Sequence, residues 1–308
     1  MKNELPHDLV RTLLAVVDEG TFDAAAAVLH VTPSAVSQRV KALEQRAGRV
    51  LLTRTRPVRA TESGQVVVRY ARQLARLEGD ARAALGMDGE SDAGTAAAPT
   101  WLAIAVNADS LATWFVPALS ALTQDARIHL DLRREDEAHT TELLREGEVL
   151  AAVTSSPDPV AGCSVRPLGA MRYLPVATPA FAARWLTGEP GDWAPRAPVV
   201  CFDRRDDLQD AFAREATGGR PASRLRHYVP SSEGFAQAVT AGLGWGLVPE
   251  EEASAGLRSG ALVAVLPDRT FDVPLFWQQW RLDSPALAVV AEAVASAAAH
   301  SLRNPPTA

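Results

Sequence analysis

Apolar residues recur at helical spacing in the first part of the chain. Leu9, Leu13 and Val17 lie on one face of a predicted amphipathic helix, and Gly20 ends it. The small and apolar residues 24–29 predict a short second helix directly afterwards. This spacing indicates a compact helical unit at the front of the chain.

A third helix and a hairpin follow. Thr32 supplies a hydroxyl for the N-cap, and Pro33 stands at the first helical position, where its missing N–H costs nothing. The helix is predicted to run to about Arg46 and to end at Gly48. Residues 51–61, rich in Thr, Val and Arg with a central proline, predict a small β-hairpin.

Residues 62–85 predict a long helix with a narrow apolar seam. Its apolar positions follow each other at alternating spacings of three and four residues: Val67, Tyr70, Leu74, Leu77, Ala81 and Ala84. A heptad seam of this kind is typical of helix pairing, because a lone helix cannot bury it against itself. We therefore predict dimerisation through Val67, Tyr70, Leu74, Leu77 and Ala81. Packing of the seam on the helix's own domain is the alternative.

The pattern changes again beyond this helix. Residues 86–99 are rich in glycine and small residues without an apolar period, which predicts a hinge. From residue 100 onward, strands and helices alternate with short connections, as in a parallel α/β sheet. The predicted strands are 102–106, 128–134 and 149–154, and the predicted helices are 110–123 and 138–145.

A second α/β region is predicted between residues 168 and 267. Its candidate strands are 174–177, 199–202, 226–229 and 245–248. Residues 273–280 and 285–302 predict one more strand and helix, which most simply return to complete the first α/β region. The second half of the chain is therefore expected to have two lobes.

Composition limits the class of protein. With 308 residues, 47% hydrophobic and 22% charged, the chain matches ordinary globular proteins and is long enough for two domains. The first residues lead into no secretory signal, and no apolar run is long enough to span a membrane. Cys163 and Cys201 share no metal-ligand spacing with each other or with the six histidines. We expect a cytoplasmic protein with no metal and no cofactor.

Charge is distributed unevenly along the chain. The formal charge is −6, but residues 31–82 carry eleven Lys or Arg against four acids, a net +7 that leaves −13 elsewhere. A basic front on an acidic body favours a polyanion as the partner of the front end only. A solvated helix face with chance clustering is the alternative.

The segment 20–48 carries the most specific motif. On the third helix one face is apolar, and the opposite face holds Ser34, Ser37, Gln38 and Lys41. Short hydrogen-bonding side chains followed by positive charge suit a recognition helix in the major groove of DNA. Arg54, Arg56 and Arg59 of the hairpin then form a wing that reaches phosphates or a narrow minor groove.

These segments resemble the LysR-type transcriptional regulators. The helix-turn-helix, the LLTRTRPVRATESG wing and the seam helix are similar to their N-terminal module, and the α/β part to their effector domain, a two-lobed fold like periplasmic binding proteins. Residues 105–119, 146–149, 202–203 and 231–239 resemble the LysG/ArgP subfamily, which senses lysine or arginine. The resemblance implies a cytoplasmic regulator of an amino acid exporter gene.

The predicted fold is α followed by α/β. It comprises a winged helix-turn-helix domain at 1–61, a dimerisation helix at 62–85, a hinge at 86–99 and an effector-binding domain at 100–308. Lobe I of that domain takes about 100–167 and 268–308, and lobe II about 168–267. The resemblance further implies double-stranded promoter DNA as partner and a homodimer or homotetramer.

Site residues are also implied by position in the family pattern. Base-reading contacts fall on Thr32, Pro33, Ser34, Ser37 and Gln38, and phosphate contacts on Arg39, Lys41, Arg54 and Thr61. Many family members carry Gln-Pro where this chain has Pro33 and Ser34, which bears on the details of base reading.

An effector cleft is expected where strands of the α/β domain end, since ligands bind there in open sheets. The candidates follow the predicted strands or open the next helix: Asn107, Asp109, Ser110, Trp114, Glu135, Ser155, Asp203, Ser231 and Ser232. Carboxylates such as Asp109 suit the positive groups of a basic amino acid, and hydroxyls with a helix N-terminus suit its carboxylate. Helix capping is the alternative role for each acid and serine.

Other functions are weaker fits. The chain has no G-x-S-x-G, H-E-x-x-H, Walker A or C-x-x-C motif, so an enzyme is not expected. Two alternatives remain open: a LysR-type regulator of another small molecule, and an architectural or replication-origin protein that binds DNA and ignores small molecules.

Overall fold

The computed structural model describes residues 4–85, 87, 100–124, 128–135 and 137–304. The predicted hinge at 86–99 lies outside the described residues, apart from Met87. Among the described residues, no helix combines the length and the apolar character that crossing a bilayer requires.

Three helices and a hairpin form the N-terminal unit: α1 (His7–Glu19), α2 (Phe22–Val28), α3 (Pro33–Ala47), β1 (Leu52–Thr53) and β2 (Arg59–Ala60). The hydroxyls of Thr21 and Thr32 accept hydrogen bonds from the backbone N–H groups of Ala24 and Ala35, so each caps its helix. Gly48 ends α3 in the left-handed conformation. The predicted helices and hairpin are confirmed.

The hairpin is fixed to the third helix. One carboxylate oxygen of Glu44 accepts hydrogen bonds from the backbone N–H groups of Leu51 and Leu52, at 2.8 and 3.4 Å. Gly64 of the next helix lies close to the residue before β1, because any Cβ at this position would clash with the Leu51 carbonyl oxygen. These contacts hold the wing at a defined position beside α3.

The long helix α4 (Glu62–Ala84) leaves this unit with only its first half buried. Val67, Val68 and Ala71 pack in the same core as α1 and α3. The prediction that Val67 pairs with a second copy is therefore wrong. Val67 packs on its own domain, which was the alternative interpretation of the heptad pattern. Tyr70 and Leu77 are exposed, and so are Val66, Leu85 and Ala81. Leu74 is half-buried.

Residues 100–304 form two lobes around one long sheet. The strands are β3 (Thr100–Val106), β4 (Ile128–Arg134), β5 (Ala151–Thr154), β6 (Cys163–Ala177), β7 (Val199–Cys201), β8 (Arg226–Tyr228), β9 (Gly246–Pro249), β10 (Val263–Ala264) and β11 (Phe271–Trp280). Seven of them form one sheet. Six follow each other in the order β10-β6-β11-β5-β3-β4, and β9 pairs with β6 beside this path. β7 and β8 form a separate parallel pair.

Helices cover both faces of the sheet: α5 (Ala108–Ser110), a π-helical turn (Leu111–Phe115), α6 (Val116–Ala118), a 3-10 segment (Leu119–Gln124), α7 (Glu137–Glu146), α8 (Pro179–Trp185), α9 (Pro190–Trp193), α10 (Leu208–Thr217), α11 (Ser232–Thr240), α12 (Glu250–Ser259) and α13 (Pro285–Ser301). The single helix expected at 110–123 is thus four short segments of differing pitch. The last helix packs against these segments.

The sheet is less parallel than expected. Within the described part of this sheet, the parallel pairs are β3 with β4 and β3 with β5, whereas β6 and β11 are long antiparallel strands that run through both lobes. The sequence predicted only the end of β6, at 174–177. The register of β6 and β11 shifts between Leu275 and Phe276, opposite Gly169 and Pro167, so the paired strands bulge there.

Candidate functional site

A cleft of about 740 Å³ opens between the lobes. Its carboxylates come from both sides: Asp109, Glu135 and Asp158 from lobe I, and Asp203, Asp206 and Asp207 from lobe II. Two of the described residues on its wall are arginines, Arg145 and Arg205. With six acids against two guanidinium groups, the cleft attracts cations.

Asp109 stands at the centre of a hydrogen-bonded network. The Tyr173 hydroxyl donates to Asp109 Oδ2 at 2.6 Å, and Ser232 Oγ lies 2.6 Å from Asp109 Oδ1. Tyr173 belongs to β6 and Ser232 opens α11, so the network joins α5 of lobe I to two elements across the cleft. The structure therefore brings the predicted residues Asp109 and Ser232 together.

Four more predicted residues line the cleft. Asn107 also caps α5, because its Oδ1 accepts a hydrogen bond from the Ser110 N–H. Glu135 follows β4, and Ser155 follows β5, each directly after its strand. Asp203 caps a tight turn by accepting hydrogen bonds from the N–H groups of residues 205 and 206. Capping and lining therefore coexist at Asn107 and Asp203.

Three predicted cleft residues lie elsewhere. Ser110 is fully buried and does not line the cleft, because the helix begins three residues earlier at the Asn107 cap. Trp114 is 3% exposed, packs edge-on against Phe115, and lines a separate cavity of about 390 Å³. Ser231 caps α11 by accepting from the Gly234 N–H and is not part of the cleft wall.

Sequence reasoning missed Asp206 and part of α7. Asp206 accepts hydrogen bonds from the N–H groups of Phe202 and Leu208, while burial, together with Asp109 and Asp203, raises its pKa. Thr141 and Arg145 extend from α7 into the cleft wall. The three aspartates within residues 203–207 were the available signal for Asp206. For α7, the signal was that Thr141 and Arg145 lie one helical turn apart on a helix that the sequence already predicted.

On the N-terminal unit, the polar face of α3 is free. Ser34, Gln38 and Lys41 are exposed, and Ser37 and Arg39 are half-buried, while Val36, Val40 and Leu43 are packed in the core. Thr32 and Pro33, also exposed, begin the helix. The polar face therefore presents its N-terminal half and its first turn to a partner.

The wing adds positive charge beside that face. Arg54, Arg56 and Arg59 are exposed, and the Arg54 guanidinium lies 5.9 Å from the centre of the Phe22 ring. Thr61 is different, because its hydroxyl donates to the Val50 carbonyl and accepts from the Gly64 N–H. Its predicted phosphate contact is corrected to a cap of α4, since its only hydroxyl hydrogen is already used.

A cluster of contacts, here called the clasp, joins α4 to the end of α7. The Arg72 guanidinium donates to Asp18 Oδ1 of α1 and to the Glu146 carbonyl oxygen, both at 2.8 Å, and lies 3.8 Å from Glu148. Gln65 Nε2 donates to Glu146 Oε1 at 3.0 Å. Residues 146–149, one of the segments that resemble the LysG/ArgP subfamily, thus contact helix α4 rather than the cleft.

The clasp also concentrates negative charge. Burial raises the pKa of Glu146, and the neighbouring Glu148 and Glu142 raise it further, against the opposing effect of Arg72 and Arg145. Glu148 is itself bonded by Arg133 at 2.8 Å. Arg72 of α4 therefore faces an acidic turn of lobe I.

Comparison with known families gives two matches in order along the chain. A family of bacterial regulatory helix-turn-helix proteins, the lysR family, matches residues 7–65. The LysR substrate binding domain matches residues 99–299. The first match covers α1 to the start of α4, and the second covers the two-lobed region with its cleft.

Relatives share these features along nearly the whole chain. A lysine export transcriptional regulatory protein, LysG, of Corynebacterium efficiens is 47% identical over 293 residues, which is 95% of this chain and 98% of that protein. The crystal structure of ArgP from Mycobacterium tuberculosis has a TM-score of 0.87 and 46% identity, covering 98% of this chain and 100% of that one.

A second solved structure is described as full-length LysG from Corynebacterium glutamicum with bound effector Arg. It has a TM-score of 0.81 and 43% identity, and covers 97% of this chain and 99% of that one. With both domain families matched and identities above 40% along its length, the chain belongs to the LysR family of bacterial helix-turn-helix regulators.

Proposed function

We propose that this protein is a cytoplasmic transcriptional regulator that binds promoter DNA through α3 and the wing, and responds to lysine or arginine bound in the interlobe cleft. The excess of carboxylates on the cleft wall carries this proposal. The proposed target is an amino acid exporter gene, in keeping with the lysine export role named for the LysG relative.

The cleft offers complementary groups for a basic amino acid. Asp109, Glu135 and Asp203 supply carboxylates for its two positive groups. Arg145 supplies a cation for its carboxylate, in place of the helix start at Ser110, which is buried. A cleft of about 740 Å³ falls within the usual range of small-molecule sites.

On the DNA side, α3 fits the groove-reading role. Base contacts are assigned to Thr32, Pro33, Ser34, Ser37 and Gln38, and phosphate contacts to Arg39, Lys41, Arg54, Arg56 and Arg59. The exposure of the helix start and of the wing supports this assignment. Phosphate contacts supply most of the affinity and base contacts the specificity.

The assembly we propose is a homodimer, with a homotetramer as its extension. The outer face of α4 carries exposed apolar side chains at Val66, Tyr70 and Leu77, with Leu74 half-buried beside them, and the exposed Leu85 follows directly after the helix. A second copy of the same helix would cover this stripe. Two recognition helices then read two half-sites.

Coupling between the two functions runs through α7 and the predicted hinge at 86–99. Thr141 and Arg145 of α7 line the cleft, and Glu146 at the end of the same helix is held by Arg72 in the clasp. A ligand that moves α7 when the lobes close changes the position of α4, and with it the spacing of the paired recognition helices.

Calorimetric titration tests the sensing role. L-Lysine and L-arginine are expected to bind, L-alanine and L-glutamate to bind far more weakly, and Asp109→Asn to lose most of the affinity for the basic pair. Ligand at about 100 times its Kd should also stabilise the fold by about 2.7 kcal/mol. Binding of a different metabolite instead, or DNA binding with no ligand at all, would favour the two alternatives and overturn the proposal.

A further inference from the structure

Two carboxylates share one hydroxyl at the edge of the cleft. Ser232 Oγ lies 2.6 Å from Asp109 Oδ1 and 3.2 Å from Glu252 Oε1. A serine hydroxyl has one hydrogen to donate, whereas an ionised carboxylate can only accept. Both contacts can therefore be hydrogen bonds only when one of the two acids carries a proton.

The surroundings assign that proton to Glu252. Asp109 accepts from the Tyr173 hydroxyl as well as from Ser232, so each of its two oxygens already has a donor. Glu252 Oε2 is buried and has no hydrogen-bond partner among the described residues. Burial raises the pKa of Glu252, and the negative charge of Asp109 raises it further. The protonated Glu252 thus donates to Ser232 Oγ, which donates to Asp109.

The arginines on the elements around Glu252 are bonded to other carboxylates. Besides Asp109, its charged neighbours are Glu233 of α11 and Glu251 of α12, both acids that raise the same pKa. Arg172 of β6 is bonded to Asp272, and Arg303 to Glu250. β9 and β10, which also pack on α12, contain no charged residue. A cation placed beside Asp109 from the cleft would change this balance.

We propose that Glu252 is a positioning residue for the effector, acting through Ser232: it holds a proton in the empty cleft and releases it to solvent when the ammonium or guanidinium group of a basic amino acid binds beside Asp109. The ligand cation replaces the proton as the positive charge of the Asp109–Ser232–Glu252 chain. This inference rests on the proposed sensing of lysine or arginine, and adds that binding is linked to proton release.

Proton release is measured directly by titrating L-arginine into the protein in buffers of different ionisation enthalpy, from about pH 4.5, near the ordinary pKa of glutamic acid, to about pH 8. The wild-type protein is expected to release up to one proton per ligand, and its affinity to fall by up to tenfold per pH unit on the acid side. Glu252→Gln keeps a donor for Ser232 and is expected to release no proton and to lose this pH dependence.

Glu251→Gln is the matched control, because it removes an exposed charge from the neighbouring position. It should still release a proton on binding, with its pH dependence moved slightly towards acid because the smallest of the charges that raise the pKa of Glu252 is lost. Ser232→Ala is a second variant that separates Glu252 from Asp109, and it should also reduce proton release. Equal proton release by the wild type and by Glu252→Gln would overturn the inference while leaving amino acid binding intact. Absence of any arginine or lysine binding by the wild type would overturn the proposed function itself.

The melting temperature of the protein without ligand tests independently whether Glu252 holds a proton. Because the folded-state pKa of Glu252 is raised, its ionisation costs stability as pH rises through that pKa. The melting temperature of Glu252→Gln should therefore exceed that of the wild type by more at pH 8 than at pH 5. A gap that does not change with pH would contradict a proton on Glu252.

Discussion

The Arg72 guanidinium donates a hydrogen bond to the Glu146 carbonyl oxygen, and this contact joins α4 to the end of α7. The same side chain bonds Asp18 of α1, so it holds three elements at once. Because Thr141 and Arg145 of α7 line the cleft, a ten-residue helix connects the proposed ligand site to the helix-turn-helix unit.

Arg72→Ala should uncouple the two sites. The variant loses the bonds to Asp18 and Glu146 but changes no cleft residue, so arginine should bind with nearly wild-type affinity in calorimetry. The difference in DNA affinity with and without arginine should shrink, and the fold should lose about 1–2 kcal/mol from the missing hydrogen bonds.

Arg214→Ala is the control for this loss of charge, since Arg214 is an exposed arginine on α10, far along the chain from the clasp. It should leave both the stability and the coupling unchanged. Full coupling in Arg72→Ala would show that the signal passes by another route.

The Glu146→Gln variant should be more stable than the wild type at high pH, because it removes a charge from the clasp. Burial, Glu148 and Glu142 raise the pKa of Glu146 in the folded protein, so its ionisation disfavours the folded state above that pKa. Glutamine keeps the oxygen that accepts from Gln65 without the charge. The melting temperature of the variant should exceed that of the wild type at pH 8, with a smaller gap at pH 5; the opposite trend would refute the assignment.

Gln38→Ala should relax sequence preference on DNA. Gln38 is exposed on the polar face of α3, where a bidentate contact with a base is worth about 1–3 kcal/mol. Affinity for a specific site should fall while affinity for random DNA stays the same, measured by competition at one salt concentration. Lys41→Ala is the comparison, because loss of a phosphate contact should weaken both affinities. An equal loss on both DNAs for Gln38→Ala would refute base reading.

Both cysteines should resist thiol reagents in the native protein. Cys163 and Cys201 are buried, and burial raises the pKa of each thiol to about 11. At pH 8 about a thousandth of each buried thiol would be thiolate. Reagent uptake should therefore follow unfolding in denaturant, and rapid labelling of native protein would show that one of these regions opens.

The sequence predicted the helices, the hairpin and most strands, because local signals set them. Thr32, Pro33 and Gly48 act within a few residues of the helix α3 that they delimit. The long strand β6 was mostly missed: its half-buried first part carries glycine, proline and arginine, and only its pairing with β11 makes it a strand. Val67 was misassigned because a heptad pattern does not distinguish an intrachain core from a partner helix.

The cleft was predictable as a location but not as a set of contacts. Asp109 and Ser232 both lie at the cleft and contact each other, because residues at strand ends and helix starts meet there. Ser110 was expected to open the helix at the cleft, but the helix begins at the Asn107 cap, about one turn earlier. The Ser110 side chain is therefore buried in the core. Glu252 lies in an ordinary acidic first turn of α12, and only its distance from Ser232 distinguishes it.

Footprinting on the upstream region of the protein's own gene, with and without L-arginine, tests the central claim most directly. Ligand in the cleft is expected to change the length of the protected region, because it changes the spacing of two recognition helices. A footprint of unchanged length at arginine concentrations that saturate the cleft, or no protection of the fragment even at low salt, would contradict the account.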